Sequence, residues 1–210
     1  MPVRCFTVKR HQSGGTLVLG DPDRSLPNAA TEAKAVAAIY GTTAWTGNDA
    51  RESRLRRDSA RSGIIHIEAH AHYDAGRPLF TTINLAPDEG DAGRDEEGDG
   101  HLHVYEVFDL DLSSIQLAVL SACETSIGPA AGGDDIVGLA HGFRYAGASS
   151  VLATLWAIND ASSASFMTVF HRHVHDRVSA ADALRQTQLQ VIHQSESREP
   201  YYWAAYTLTR

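Results

Sequence analysis

The sequence predicts an α/β fold: a doubly wound, three-layer α/β/α sandwich about a central, mostly parallel sheet. Short apolar runs alternate with stretches of helical periodicity along the chain, the pattern of successive βαβ units. One run, Ile115-Gln116-Leu117-Ala118-Val119-Leu120-Ser121-Ala122-Cys123, is apolar almost throughout, as a strand buried on both faces must be. It ends abruptly at Cys123, with Gly128, Gly132 and Gly133 soon after. Parallel sheets place their chemistry just beyond the carboxyl ends of their strands, and Cys123 sits there.

In chain order, Thr16-Leu17-Val18-Leu19 is a short buried strand stopped by Gly20-Asp21-Pro22-Asp23. Ala29 to Tyr40 has helical spacing through Ala33, Val36, Ala37 and Ile39, with Gly41 as its stop. Thr43 to Thr46 is a second strand, and Asn48 or Asp49 is placed to cap a helix running through Leu55 towards Ser59. Ile64 to His70 is a third strand leading into a histidine-rich turn, and Pro78 to Leu85 a small extended excursion. Ile136 to Tyr145 is a helix ended by Gly147, and Ser149 to Ile158 another buried strand. Helices from Ser162 to Arg172 and Ala180 to Ile192 follow, and Trp203 to Leu208 closes the chain as a strand.

The 210 residues suit one domain from 16 to 210, after a loose lead at 1–15 and with an acidic loop insertion at 86–100. No run approaches the length of a membrane span. Met1-Pro2-Val3-Arg4-Cys5 lacks an apolar signal core, so the expected setting is cytoplasmic. There, Cys5 and Cys123 are expected to be free thiols. A net charge of -8 argues against nucleic acid, which needs a basic stripe. Much of that charge lies in Asp88, Glu89, Asp91, Asp95, Glu96, Glu97 and Asp99, set against Arg94. Such a loop invites a calcium reading, but it lacks the ligand spacing of a calcium loop and reads better as a solvated insertion.

His70 and Cys123 both fall at predicted strand ends. A thiol attacks as its thiolate and needs a neighbouring base. An imidazole opposite it then protonates the leaving group, and backbone amides hold the oxyanion. The amide of Cys123 and that of the residue after His70 are the candidates.

The blocks His66-Ile67-Glu68-Ala69-His70-Ala71 and Leu120-Ser121-Ala122-Cys123-Glu124-Thr125 resemble the signature of the CHAT domains, bacterial caspase-like cysteine peptidases similar to separases and gingipain-type enzymes. Gly20-Asp21-Pro22, Glu32-Ala33, Gly138-Leu139-Ala140, Thr154-Leu155-Trp156 and Pro200-Tyr201-Tyr202-Trp203 extend the likeness over roughly residues 15 to 209. The resemblance implies a caspase-like sandwich with a mostly parallel six-stranded sheet and a His–Cys dyad of His70 and Cys123. It also implies a protein or peptide substrate, an activating protein module, and no cofactor and no metal. His66 is assigned a structural role. Ala71 stands where the family carries a glycine whose amide helps form the oxyanion hole. In a turn of positive φ its Cβ would be strained. Candidates for the substrate pocket are Asp21, Ser121, Trp156 and Asp160, although Trp156 also suits the core and Asp160 a helix cap.

Two rival readings stand beside this one. His70-Ala71-His72-Tyr73-Asp74 is a His-x-His-x-Asp run, which resembles the first ligand motif of binuclear zinc hydrolases. Ala75 occupies the place of that motif's next histidine, and the Cys123 block is left unexplained. The other rival is a caspase-like scaffold used for binding alone.

Overall fold

The computed structural model describes residues 14–26, 28–74, 76–88, 98–124, 134–156, 158, 160–194 and 198–210, with side chains at all of these except 122–124, 134–137 and 160. Cys5, the thiol of Cys123, most of the acidic loop, and Gly128, Gly132 and Gly133 therefore lie outside the described residues.

The strands are β1 (Gly15–Gly20), β2 (Ala44–Thr46), β3 (Ser62–His72), β4 (Thr82–Asn84), β5 (His101–His103), β6 (Leu117–Glu124), β7 (Val151–Thr154) and β8 (Tyr206–Thr209). Among the described residues all eight belong to one sheet, six of them in the order β2-β1-β3-β6-β7-β8. The first five run parallel, and β8 joins β7 antiparallel. β4 and β5 extend the sheet antiparallel beyond the end of β3.

The helices are α1 (Ala29–Tyr40), α2 (Glu52–Ser59), α3 (Val104–Val107), α4 (Asp134–Tyr145), α5 (Asp160–His175), α6 (Ala180–Ile192) and α7 (Pro200–Trp203). They cover both faces. On one side Leu17, Leu19, Ile65 and Ile67 pack with Leu55, Val107, Leu139 and Phe143 of α2, α3 and α4. On the other, Val18 meets Ala33, Val36 and Ala37 of α1. There too, Leu117, Val119 and Leu152 meet Phe166, Met167 and Phe170 of α5 and Ala183 and Leu184 of α6. Alternate residues of each strand thus feed opposite cores. The result is the expected three-layer sandwich.

Local chemistry explains the element ends. Gly41 closes α1 at φ 64, with its amide bonded to Ala37 and Ala38 carbonyls. Gly20 has no Cβ to keep α1 off β1: one built there would lie 2.6 Å from the Ala33 Cβ. The Gly20 and Glu32-Ala33 blocks are therefore two sides of one contact. Ser179 caps α6 by accepting from the Asp182 amide.

Some expectations are corrected. β3 does not turn at His70 but continues to His72, because Ala71 and His72 pair with Ile83 and Thr82 of β4. α2 starts at Glu52 behind a 3-10 turn at Gly47–Asp49, so neither Asn48 nor Asp49 caps it. Tyr201 to Trp203 belong to α7, and the last strand begins only at Tyr206. Among the described residues no helix is long and apolar enough to cross a membrane.

Candidate active site

Strands β3 and β6 are neighbours, and the register between them pairs His70 with Cys123 and Ala71 with Glu124. Register partners on adjacent strands lie about 4.8 Å apart and share a face of the sheet. Two positions that are 53 apart in the chain (123 minus 70) become nearest neighbours because the parallel pairing holds from Ile64 to Ala71.

The His70 side chain is 15% exposed and is held by the loop that leaves β1. Its Nε2 lies 2.7 Å from the Ser25 Oγ. That Oγ lies 2.7 Å from Asp23 Oδ1, which also accepts the Ser25 amide at 3.1 Å. Two oxygens this close need a proton between them, and an ionised carboxylate has none to give. The Ser25 hydroxyl therefore donates to Asp23, and His70 Nε2–H donates to Ser25. In the neutral ring this leaves the lone pair on Nδ1, which is buried and has no hydrogen-bond partner among the described residues. Burial works against the Asp23 carboxylate, but the Ser25 hydroxyl and amide and the nearby His70 together hold its pKa below the ordinary value.

Asp23 and Ser25 were missed in the sequence. Their signal was slight: a short Asp–Ser pair in the loop after a strand that neighbours the histidine strand.

The remaining candidates fall in different places. Asp21, at φ 48, is buried and ties down the same loop: its Oδ1 accepts the Leu26 amide at 3.1 Å, and its own amide donates to the Glu68 carbonyl at 2.9 Å. Ser121 is buried with its Oγ 3.2 Å from the Ser163 Oγ of α5. Trp156 packs against the α5–α6 core and donates Nε1–H to the Tyr201 carbonyl at 3.2 Å. Asp160 is the first residue of α5, and its side chain lies outside the described residues. Ala71 is extended within β3, and its φ is not positive. No turn follows His70, so the expected strain at its Cβ does not arise.

An open depression of about 500 Å³ begins at Ala71 and His72, and Phe80, Asn84, His101 and His103 line its far side. His72 is exposed, and Asp74 is occupied by the Gly76 and Arg77 amides and the Arg77 guanidinium. His70, His72 and Asp74 do not converge as a metal-binding group. The His-x-His-x-Asp reading gains no geometric support.

Below His70 on the same face of β3, His66 and Glu68 are buried against α1 and α5. His66 Nδ1 lies 3.1 Å from Nε2 of His171, whose Nδ1 lies 3.0 Å from the Tyr40 hydroxyl. Burial first, and then His66, hold His171 far below its ordinary pKa, so its imidazole is neutral.

A sequence model of the CHAT domain matches residues 4–210. Tetratricopeptide repeat protein 28 of Homo sapiens is 23% identical over 209 residues, covering 87% of this chain and 8% of that protein. Among solved structures, the crystal structure of the Arg specific cysteine proteinase gingipain R superposes with a TM-score of 0.59 at 10% identity. That likeness covers 93% of this chain and 46% of the other. At such identity it shows the fold alone.

Proposed function

The chain belongs to the CHAT domain family, and from that premise we propose that it is a caspase-like cysteine endopeptidase. One observation carries the reading. The register sets His70 beside Cys123, while Asp23 and Ser25 hold the imidazole with an unprotonated Nδ1 that has no hydrogen-bond partner among the described residues. Nδ1 takes the Cys123 thiol proton, and the thiolate attacks the scissile carbonyl. The same nitrogen then delivers the proton to the leaving amine, and water hydrolyses the thioester with His70 again acting as base. The backbone amides of Cys123 and Ala71 are the proposed oxyanion donors. An extended substrate segment is expected to bind beside the sheet, where a depression opens at Ala71 and His72, next after His70 in β3.

The proposed setting is the cytoplasm, where reduction keeps Cys123 a thiol. The human relative is by name a tetratricopeptide repeat protein, of which this chain covers 8%. We propose that a further protein module controls the activity of this domain.

The test compares new protein N-termini in cells producing the wild type with those producing Cys123→Ala. The reading expects a set of cleavages that vanish in the variant. Identical sets, with both proteins folded, would leave only the binding-scaffold reading.

A further inference from the structure

The innermost polar cluster plays no part in this chemistry. Glu32 of α1 and His66 of β3 are completely buried, and Glu68 is 3% exposed. One oxygen of each glutamate and a nitrogen of His66 lie within 4.8 Å of one another. Both oxygens of Glu32, and Nε2 of His66, have no hydrogen-bond partner among the described residues. We propose that Glu32, His66 and Glu68 form a structural site for a divalent transition-metal ion, zinc foremost.

The geometry fits. His66 Nε2 lies 3.3 Å from Glu32 Oε1 without forming a hydrogen bond. A tetrahedral zinc with bonds of about 2.1 Å has ligand–ligand edges of about 3.4 Å. Three protein donors leave the fourth position to water.

The hydrogen bonds around the cluster accommodate the tautomer that a metal needs. Tyr40 donates its hydroxyl to the His171 carbonyl at 3.4 Å. With that oxygen as acceptor for His171 Nδ1–H at 3.0 Å, His171 Nε2 carries a lone pair and accepts Nδ1–H of His66 at 3.1 Å; with the roles reversed, His66 instead turns an Nε2–H towards Glu32. In the first arrangement the His66 proton is on Nδ1 and Nε2 is bare, 3.3 Å from a carboxylate oxygen. Two lone pairs at that distance repel unless a cation lies between them. A metal-bound histidine ordinarily has its second nitrogen fixed by such a partner.

Charge leads to the same group. Each ionised carboxylate taken from water costs several kcal/mol when uncompensated, and imidazole with carboxylates suits zinc. A dication neutralises two glutamates. Since Glu32 and His66 have no contact with solvent, the ion enters as the chain folds.

The test uses the whole chain, purified from zinc-supplemented cells and dialysed against a weak chelator. Metal content is read by plasma mass spectrometry and ligation by X-ray absorption. The proposal expects about one zinc per chain with only nitrogen and oxygen donors near 2.0–2.1 Å. His171→Ala, which leaves all three donors in place, is expected to weaken zinc binding 10- to 100-fold. Folded wild type with less than a tenth of an equivalent of metal overturns the proposal. Sulfur in the coordination shell overturns it too, since the ion would then sit on a cysteine. The wild-type measurements stand even if the variant fails to fold. They read neither proteolysis nor the His70–Cys123 pair, so they fail independently of the peptidase reading.

Discussion

Replacing Ser25 with alanine removes the single hydroxyl that joins His70 Nε2 to the Asp23 carboxylate, 2.7 Å from each. The ring then loses both its orientation and the acceptor that keeps its proton on Nε2. A neutral hydrogen bond contributes about 0.5–1.5 kcal/mol and one to a charged group about 1.5–3. Ser25 is linked to a carboxylate but does not carry the charge itself, so about 1–2 kcal/mol is the working range. At about 1.4 kcal/mol per tenfold in rate, that is a 5- to 30-fold loss. The assay is the second-order rate of Cys123 alkylation by iodoacetamide, followed by intact-mass spectrometry. It reads thiolate formation without requiring the natural substrate. Ser25 is exposed and Asp23 is 51% exposed, so global stability should move by no more than about 0.5 kcal/mol. Asp23→Asn is expected to act in the same direction, and Ser25→Thr to restore the rate. An unchanged rate in Ser25→Ala, or no recovery in Ser25→Thr, would refute the role assigned to this loop.

Two further predictions concern the scaffold. Glu106 accepts the His103 amide and pairs with Arg56, but burial first, and then Glu52, raise its pKa from 4.5 to about 7. Between those values the folded chain keeps a proton that the unfolded chain has lost. Stability is therefore highest below pH 4.5 as far as this group is concerned, and falls as pH rises through 7, by about 1–3 kcal/mol. Denaturant unfolding from pH 4.5 to 8 should show that fall, levelling off above 7, and Glu106→Gln should flatten it. Gly20→Ala places a Cβ 2.6 Å from that of Ala33 and should cost about 1–3 kcal/mol by the same measurement. A variant as stable as wild type would mean that α1 does not press on β1 there.

Local pattern was enough where an element carries its own signal. Ala29–Tyr40 was legible from its spacing and Gly41, and Ala180–Ile192 from its amphipathic run. The pairing of His70 with Cys123 was anticipated because both lie in runs that only a central parallel sheet can bury. What was hidden depended on partners far away in the chain. β3 runs past His70 because β4 pairs with it, and a strand's length is set partly by its neighbour. α3 lies directly after β5, and its four residues are too few to show a helical period. Asp23 and Ser25 lie in a loop where no periodicity exists, and only the register of β1 against β3 brings them to the histidine. The Glu32–His66–His171 cluster likewise joins three elements: Glu32 and His66 stood in separate sequence blocks, and nothing in the sequence linked either to His171.

The central claim is that His70 activates Cys123. It is tested most directly by treating the purified chain with a peptidyl acyloxymethyl ketone and locating the adduct by peptide mass spectrometry. The account predicts labelling at Cys123 and not at Cys5, with loss of that labelling in a folded His70→Ala variant. Equal labelling of the two cysteines, or a Cys123 rate indifferent to His70, would contradict it.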